Sequence, residues 1–312
     1  MLHYLSERLI RLLITLFLVL SFAFVILRLS GDPALIIMSP DAPPEALEAF
    51  RKAWGLDAPL WQQYVGYFVN LFQGNFGVSM KDGAPAMQTV LERIPATLAI
   101  TVPALILQLL IGVPAGVYAA LHHNSRTDRL LMGMSIAGHT CPSFVLGLLL
   151  VMMLSVGMGW FPTGGYGTLQ HAILPILTLT LGGAAVLARF TRSAMVEVMG
   201  QPYIRTALAK GLSWRQVVFR HALPNAAIPT VTLIGIMVGG LIAGAVVVET
   251  VFSWPGEGRL LVTSVASRDL SVVQAILLVV AACMVIANLF VDALYVILDP
   301  RLRGGRRQGA KA

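Results

Sequence analysis

The sequence predicts an all-α polytopic membrane protein with about six transmembrane helices, and three observations carry that reading. Apolar residues fill 57% of the 312 positions and charged residues 12%, which leaves too few polar side chains to cover a soluble globule. Mean hydropathy is +0.79. Six segments, at 9–29, 96–120, 131–157, 172–190, 227–250 and 273–297, each come near the roughly 20 apolar residues that one helical crossing needs.

Segment 9–29 follows Arg8 and includes Arg11, so it has the basic start and apolar middle of a signal peptide. It is too long and has no A-x-A site, so it reads as a retained first span. Orientation follows from Lys and Arg. With the N-terminus inside, the inner side holds Arg126, Arg129, Arg189, Arg192, Arg205, Lys210, Arg215, Arg220 and the basic tail from Arg301 to Lys311. The outer side keeps only Arg28, Arg51, Lys52, Lys81, Arg93, Arg259 and Arg268, so both termini are expected in the cytoplasm. The net charge of +7 is then explained by membrane lipids and a cytoplasmic partner rather than by nucleic acid. Cys141 and Cys283 lie in apolar runs and read as small hydrophobes, with no disulfide framework.

This gives a division into 1–29 (N-terminus and first span), 30–95 (outer loop), 96–298 (core, with a cytoplasmic loop at 191–226) and 299–312 (basic tail). In the outer loop, Pro43 and Pro44 start one helix through AFRKAW. Asp57 and Pro59 start a second, whose Leu60, Trp61, Tyr64, Tyr67, Phe68 and Phe72 are expected to lie with their rings at headgroup level. The loop is either a surface for a soluble partner or an interfacial brace.

Within the spans, Gly112, Pro114 and Gly116 in the second and Gly235, Gly239, Gly240 and Gly244 in the fifth allow close helix approach and place both spans inside the bundle. The prolines, Pro142 among them, are expected to bend their helices. His139 is a substrate contact or an interhelical hydrogen bond, and Gln108 and Asn288 read as interhelical glue. Arg189 and Arg192 snorkel or pair with Glu197, while Asp292 pairs with a basic group. Glu249 closes the fifth span before SWPGEG at 253–258 and serves either gating or structure. His139, Pro142, Gly235, Gly239 and Glu249 are therefore the pathway and gating candidates.

The stretch YIRTALAKGLSWRQVVFRHALP, 203–224, is polar and basic yet helical in composition. Gly211 can take the positive φ that ends a helix, Ser213 can cap a second helix, and that helix is expected to stop before Pro224. Flanked by spans, it stands on one membrane face as a docking surface or a solvated basic loop. With Gly211, Leu223 and Pro224 in place, it resembles the cytoplasmic coupling loop of binding-protein-dependent ABC importer permeases. Its RTA-x-AKG form, with GDPA at 31–34, GLDAPLWQQY at 55–64 and GNFGVS at 74–79, is similar to the dipeptide and oligopeptide branch. It departs from the general pattern at Arg205, Thr206, Ala207 and His221.

The resemblance implies a type I ABC importer permease bundle in a bacterial inner membrane. It also implies a sister permease, two cytoplasmic ATPases holding ATP and Mg²⁺, and an extracytoplasmic binding protein. The coupling residues would be Tyr203, Arg205, Thr206, Ala207, Ala209, Lys210, Gly211, Leu223 and Pro224. The sequence has no G-x-x-x-x-G-K-[ST], no G-x-S-x-G, no His and Cys cluster at metal-ligand spacing and no close carboxylate pair. It reads as a non-catalytic transport subunit with no cofactor of its own. Di- or oligopeptide is the expected cargo, with nickel chelates and glutathione as alternatives. An ion-driven transporter or a scaffold is the competing class, and no internal repeat or midplane acid supports the former.

Overall fold

The structure, a computed structural model, describes residues 2–29, 31–38, 42–241 and 245–298. The tail 299–312, Gly244 and the side chains of Asn288 and Asp292 lie outside what it describes. Among the described residues, fifteen α-helices run in chain order: α1 Leu2–Leu29, α2 Pro33–Ile37, α3 Pro44–Ala53, α4 Leu60–Phe72, α5 Ala86–Leu91, α6 Ile94–Leu121, α7 Arg126–Thr140, α8 Ser143–Leu150, α9 Leu169–Met199, α10 Pro202–Ala209, α11 Trp214–Val217, α12 Leu223–Gly239, α13 Val246–Val251, α14 Glu257–Ala266 and α15 Leu270–Leu298. π-helical turns at Val151–Gly157 and Val218–Ala222 extend α8 and α11. Among the described residues, four runs are long and apolar enough to cross a membrane alone: Ala86–Leu121, Leu169–Met199, Trp214–Gly239 and Leu270–Ala287. A bent pair, Arg126–Thr140 with Ser143–Gly157, makes a fifth, and α1 is apolar over Leu13–Leu29. Each predicted segment therefore falls on helix, two of them in more than one piece.

The chain forms two compact units, one from Met1–Thr97 with Pro255–Cys283 and the other from Leu98–Trp254 with Met284–Ala312. In the first, Asp32 caps α2 by accepting the Ala34 N–H at 2.9 Å and pairs with Arg51 of α3 at 2.7 Å. The GNFGVS stretch turns on positive φ at Gly74 and Gly77, and buried Ser79 donates to Asp269 at 2.5 Å. Helix α4 packs on the first span: Tyr64 and Tyr67 meet Phe24 of α1 at 5.4 and 6.3 Å between centroids, and Phe68 meets Phe17 at 5.2 Å. The Tyr64 hydroxyl bonds Ser21 Oγ at 2.7 Å. Going forward along α4 means going backward along α1, so α4 lies antiparallel on the apolar span, held there by tilted and edge-on ring pairs.

The second unit is organised around α9, against which α7, α8 and α12 pack. Gly112 and Gly116 of α6 face Ala184, Leu187, Ala188 and Thr191 of α9 so closely that any Cβ would collide. Gln108 donates to the Leu179 carbonyl at 2.8 Å, confirming its interhelical role. Four-residue spacing of small residues thus brings two backbones together, with packing and one amide as the cohesive terms.

Two spans are more broken than the hydropathy indicates. The third bends by 102° at Cys141 and Pro142: Cys141 is extended, with φ −72 and ψ 118, as the ring of a following proline requires. The fifth does not run 227–250 as one helix. α12 ends at Gly239 and Gly240, and Val246–Val251 is a separate helix, since paired glycines carry the largest helical entropy cost among residues other than proline. Beyond it, Ser253 holds φ +52 and Trp254 is buried, its N–H on the Glu249 carbonyl at 2.8 Å and its ring edge-on to Tyr166 at 4.9 Å.

Candidate functional site

The stretch 202–224 forms as two helices about a bend. Pro202 occupies the first turn of α10, where its missing N–H is no loss. Gly211, at φ +80, donates to the Leu208 carbonyl at 2.9 Å and turns the chain. Ser213 and Gln216 then form a reciprocal capping box that starts α11. The second helix does not stop before Pro224. The π turn carries it into α12 as one run from Trp214 to Gly239. There Leu223 N–H reaches the Val218 carbonyl, and Asn225 Nδ2 donates to the His221 carbonyl at 2.6 Å. Pro224 thus falls in the first turn of α12, directly after the π turn.

The inner face of α10 is fixed by packing. Ile204 and Ala207 are buried with Ala194 and Met195 of α9, Val217, Val218 and Ala222 of the second helix, Ala120 of α6 and Ala226 of α12. Its outer face is open: Tyr203, Arg205, Thr206, Ala209, Lys210 and Gly211 are exposed, together with Leu208 and Trp214. Of the sequence-predicted coupling residues, then, Ala207 turns inward as an anchor. Leu223 is half-buried and Pro224 exposed, both a full helix away from α10.

A clamp that sequence reasoning missed secures this end of the unit. Arg192 of α9 forks Asp128 of α7, with Nε to Oδ1 at 2.5 Å and Nη2 to Oδ2 at 2.7 Å. Asp128 also accepts the Asn124 N–H at 2.9 Å, and its own N–H rests on the Ser125 hydroxyl that caps α7. Arg192 therefore does not pair with Glu197. An i,i+5 partner lies off its face of the helix, whereas Asp128 offers two oxygens to the fork. The available signal was S-x-x-D at 125–128, a cap with its acid in the first turn.

The pathway candidates differ in burial. His139 and Pro142 are exposed, with no hydrogen bond to the His139 side chain among the described residues. Gly235 is buried, Gly239 is half-buried against Ala287, and Glu249 is fully buried on α13. A cavity of about 240 Å³ instead gathers Thr101, Leu105 and Gln108 of α6, Leu179 and Gly183 of α9, and Met237 and Gly240 at the end of α12. Its polar lining is Gln108 and Thr101, one of which was read only as glue.

Comparison with known proteins follows the same lines. Residues 112–304 match the family described as binding-protein-dependent transport system inner membrane component, and residues 1–101 match its N-terminal partner family. The chain is 44% identical over 304 residues to the glutathione transport system permease protein GsiC of Escherichia coli strain K12, covering 97% of this chain and 99% of that one. It is 43% identical over the same length to GsiC of Shigella flexneri serotype 5b, with the same coverage. Among solved structures, an inward-facing MetNI methionine ABC transporter aligns with TM-score 0.59 and 22% identity over 69% of this chain and 98% of that one. An amino acid ABC transporter with histidines gives 0.51 and 17% over 69% and 94%. These last two speak for the fold, the all-α bundle of type I ABC importer permeases. The chain belongs to the binding-protein-dependent transport system inner membrane component family, and is the non-catalytic, multi-pass permease subunit of an ABC importer whose ATPase is a separate subunit.

Proposed function

We propose that this permease passes glutathione across the inner membrane, powered by ATPases docked on the exposed face of α10. The observation that carries the cargo is the 44% identity to glutathione permeases over nearly the whole chain. It shifts the sequence-based expectation from di- and oligopeptides in general to a tripeptide thiol. ATP and Mg²⁺ belong to the partners in this reading. The basic inner loops support cytoplasmic termini, which puts 202–224 where an ATPase can reach it.

Mechanically, α10 is a stub about 12 Å long by its eight residues. Tyr203, Arg205, Thr206 and Lys210 meet the ATPase, and Ile204 and Ala207 transmit its movement into α9 through Met195. The Asp128 to Arg192 clamp makes α7 follow α9. Because packed interfaces switch between discrete arrangements rather than stretch, closure of the ATPase pair becomes a shift of α6, α9 and α12 around the Gln108 cavity. The heteromeric complex would comprise this chain, a sister permease, two ATPases and a binding protein.

The test is ATP-driven uptake into proteoliposomes holding the complex as it co-purifies with this chain, supplied with its binding protein and labelled glutathione. Uptake of glutathione that unlabelled dialanine does not suppress supports the reading. Uptake of a dipeptide or of a nickel chelate with glutathione excluded would overturn the cargo assignment while leaving the coupling element standing.

A further inference from the structure

The cavity at Gln108 lies within the second unit, at mid-span. Gln108 stands at the middle of the 28-residue α6 and Gly183 at the middle of the 31-residue α9, and the end of α12 at Gly239 borders them. Among the described residues no charged side chain lines this cavity. Thr101 is buried and already has a partner. Gln108, half-buried, is therefore the polar side chain that reaches the open space.

Its amide is held in one orientation. The Leu179 carbonyl can only accept, so Nε2 must face it, and the bond is 2.8 Å long. Gly183 gives the amide its seat, since a Cβ there would run into the Gln108 amide itself. With Nε2 placed on Leu179, Oε1 accepts no hydrogen bond among the described residues. Adhesion between α6 and α9 thus uses one N–H and leaves the oxygen over. At mid-membrane depth an amide oxygen without a donor is costly, so the cavity favours an occupant that supplies one. The volume of about 240 Å³ is below the roughly 300–1,000 Å³ of a pocket that encloses a whole drug-sized ligand. It admits part of a longer molecule, with an apolar flank and a neutral N–H. One peptide unit with its side chain has both, and a helix that breaks off beside such a site is a recurrent feature of transport pathways.

We infer that this cavity is a cargo subsite within the membrane, where Gln108 Oε1 accepts a backbone N–H of the passing peptide and Gly183 keeps the amide aimed. The inference rests on the peptide cargo proposed above. Its test is ATP-driven uptake by the whole complex in proteoliposomes, with saturated binding protein, of glutathione and of two analogues, each N-methylated at one of its two peptide nitrogens. The ratio of parent to analogue is compared between variants, so the preference of the binding protein, common to all, cancels. For at least one analogue the ratio in wild type exceeds that in Gln108→Leu about tenfold, the cost of a buried acceptor that loses its donor. Gly183→Ala gives the same loss of discrimination if Gln108→Leu does not assemble. The atoms it displaces are the end of a flexible side chain, so the amide swings off its seat while the helix stays, whereas Gly182→Ala, with nothing within 4 Å, keeps the wild-type ratio. An unchanged ratio in the assembled variants, or equal uptake of parent and analogues by wild type, overturns the inference. A complex that carries dialanine and excludes glutathione defeats the cargo assignment alone, and N-methylated dialanine then puts the same question to the cavity. Uptake of a nickel chelate only defeats both.

Discussion

Replacing Asp128 by Asn tests whether α7 and α9 are joined at one point or merely adjacent. Asp128 is 2% exposed and Arg192 21%, so the pair is nearly out of solvent. The amide keeps the size but presents an N–H₂ to one arm of a guanidinium that can only donate, so one of the two forked bonds becomes a donor facing a donor. Breaking a buried pair by removing one charge costs about 3 to 5 kcal/mol, and the partial exposure of Arg192 puts this case near 3. For a chain of this size that is a fall of about 5 to 10 °C in midpoint. The thiols of Cys141 and Cys283 are half-buried and free, so a thiol-reactive dye reports unfolding without added labels. Arg192→Lys should fall between, since an ammonium satisfies one oxygen but cannot fork. The double variant Asp128→Asn with Arg192→Gln should be more stable than the sum of the single losses. Asp128→Asn within about 1 °C of wild type, where 1 kcal/mol is worth about 2 to 4 °C, would show that the pair is solvent-screened and that the clamp plays no part.

Three further outcomes follow from the geometry. Gly116→Ala should destabilise the complex and Gly112→Ala do so less, because an added methyl meets the Ala188 carbonyl and Thr191 in the first case and the Ala184 carbonyl in the second. Gly182→Ala, with nothing within 4 Å, should be neutral or gain up to about 1 kcal/mol of helix propensity, and the same dye assay ranks the three. Gly211→Val should cost about 1 to 2 kcal/mol from its positive φ alone, since a side chain there meets open space. Membrane insertion should persist while uptake per ATP hydrolysed falls, and Gly211→Asn should retain more of it. Pro142→Ala should relax the 102° bend and slow uptake, which transport assays on matched amounts of assembled complex would register.

The long helices were legible because hydropathy reads length and composition, and six segments sufficed to place them. Gly211, Ser213 and the prolines of the outer loop were legible for a different reason: each answers a local backbone demand. What local signals could not reach were pairings at long separation. Asp128 and Arg192 are 64 residues apart, and within α9 the acid that seemed available to Arg192 was Glu197. Continuity was overestimated at Gly239, where paired glycines carry the entropy cost of helix formation, and underestimated at Pro224, which a π turn leads into the first turn of α12. The candidate site was half visible. Composition located α10, but only packing shows that Ala207 faces the core while Leu208 faces out, and only the meeting of α6, α9 and α12 reveals the cavity at Gln108.

Recovery of the ATPase with the affinity-purified chain, compared between wild type and the Arg205→Glu, Lys210→Glu double variant, tests the coupling element most directly. Both residues are exposed and neither supports the core, so the sister permease should be recovered at wild-type levels while the ATPase is lost in large part. Undiminished ATPase recovery with the variant would place docking elsewhere and contradict the account.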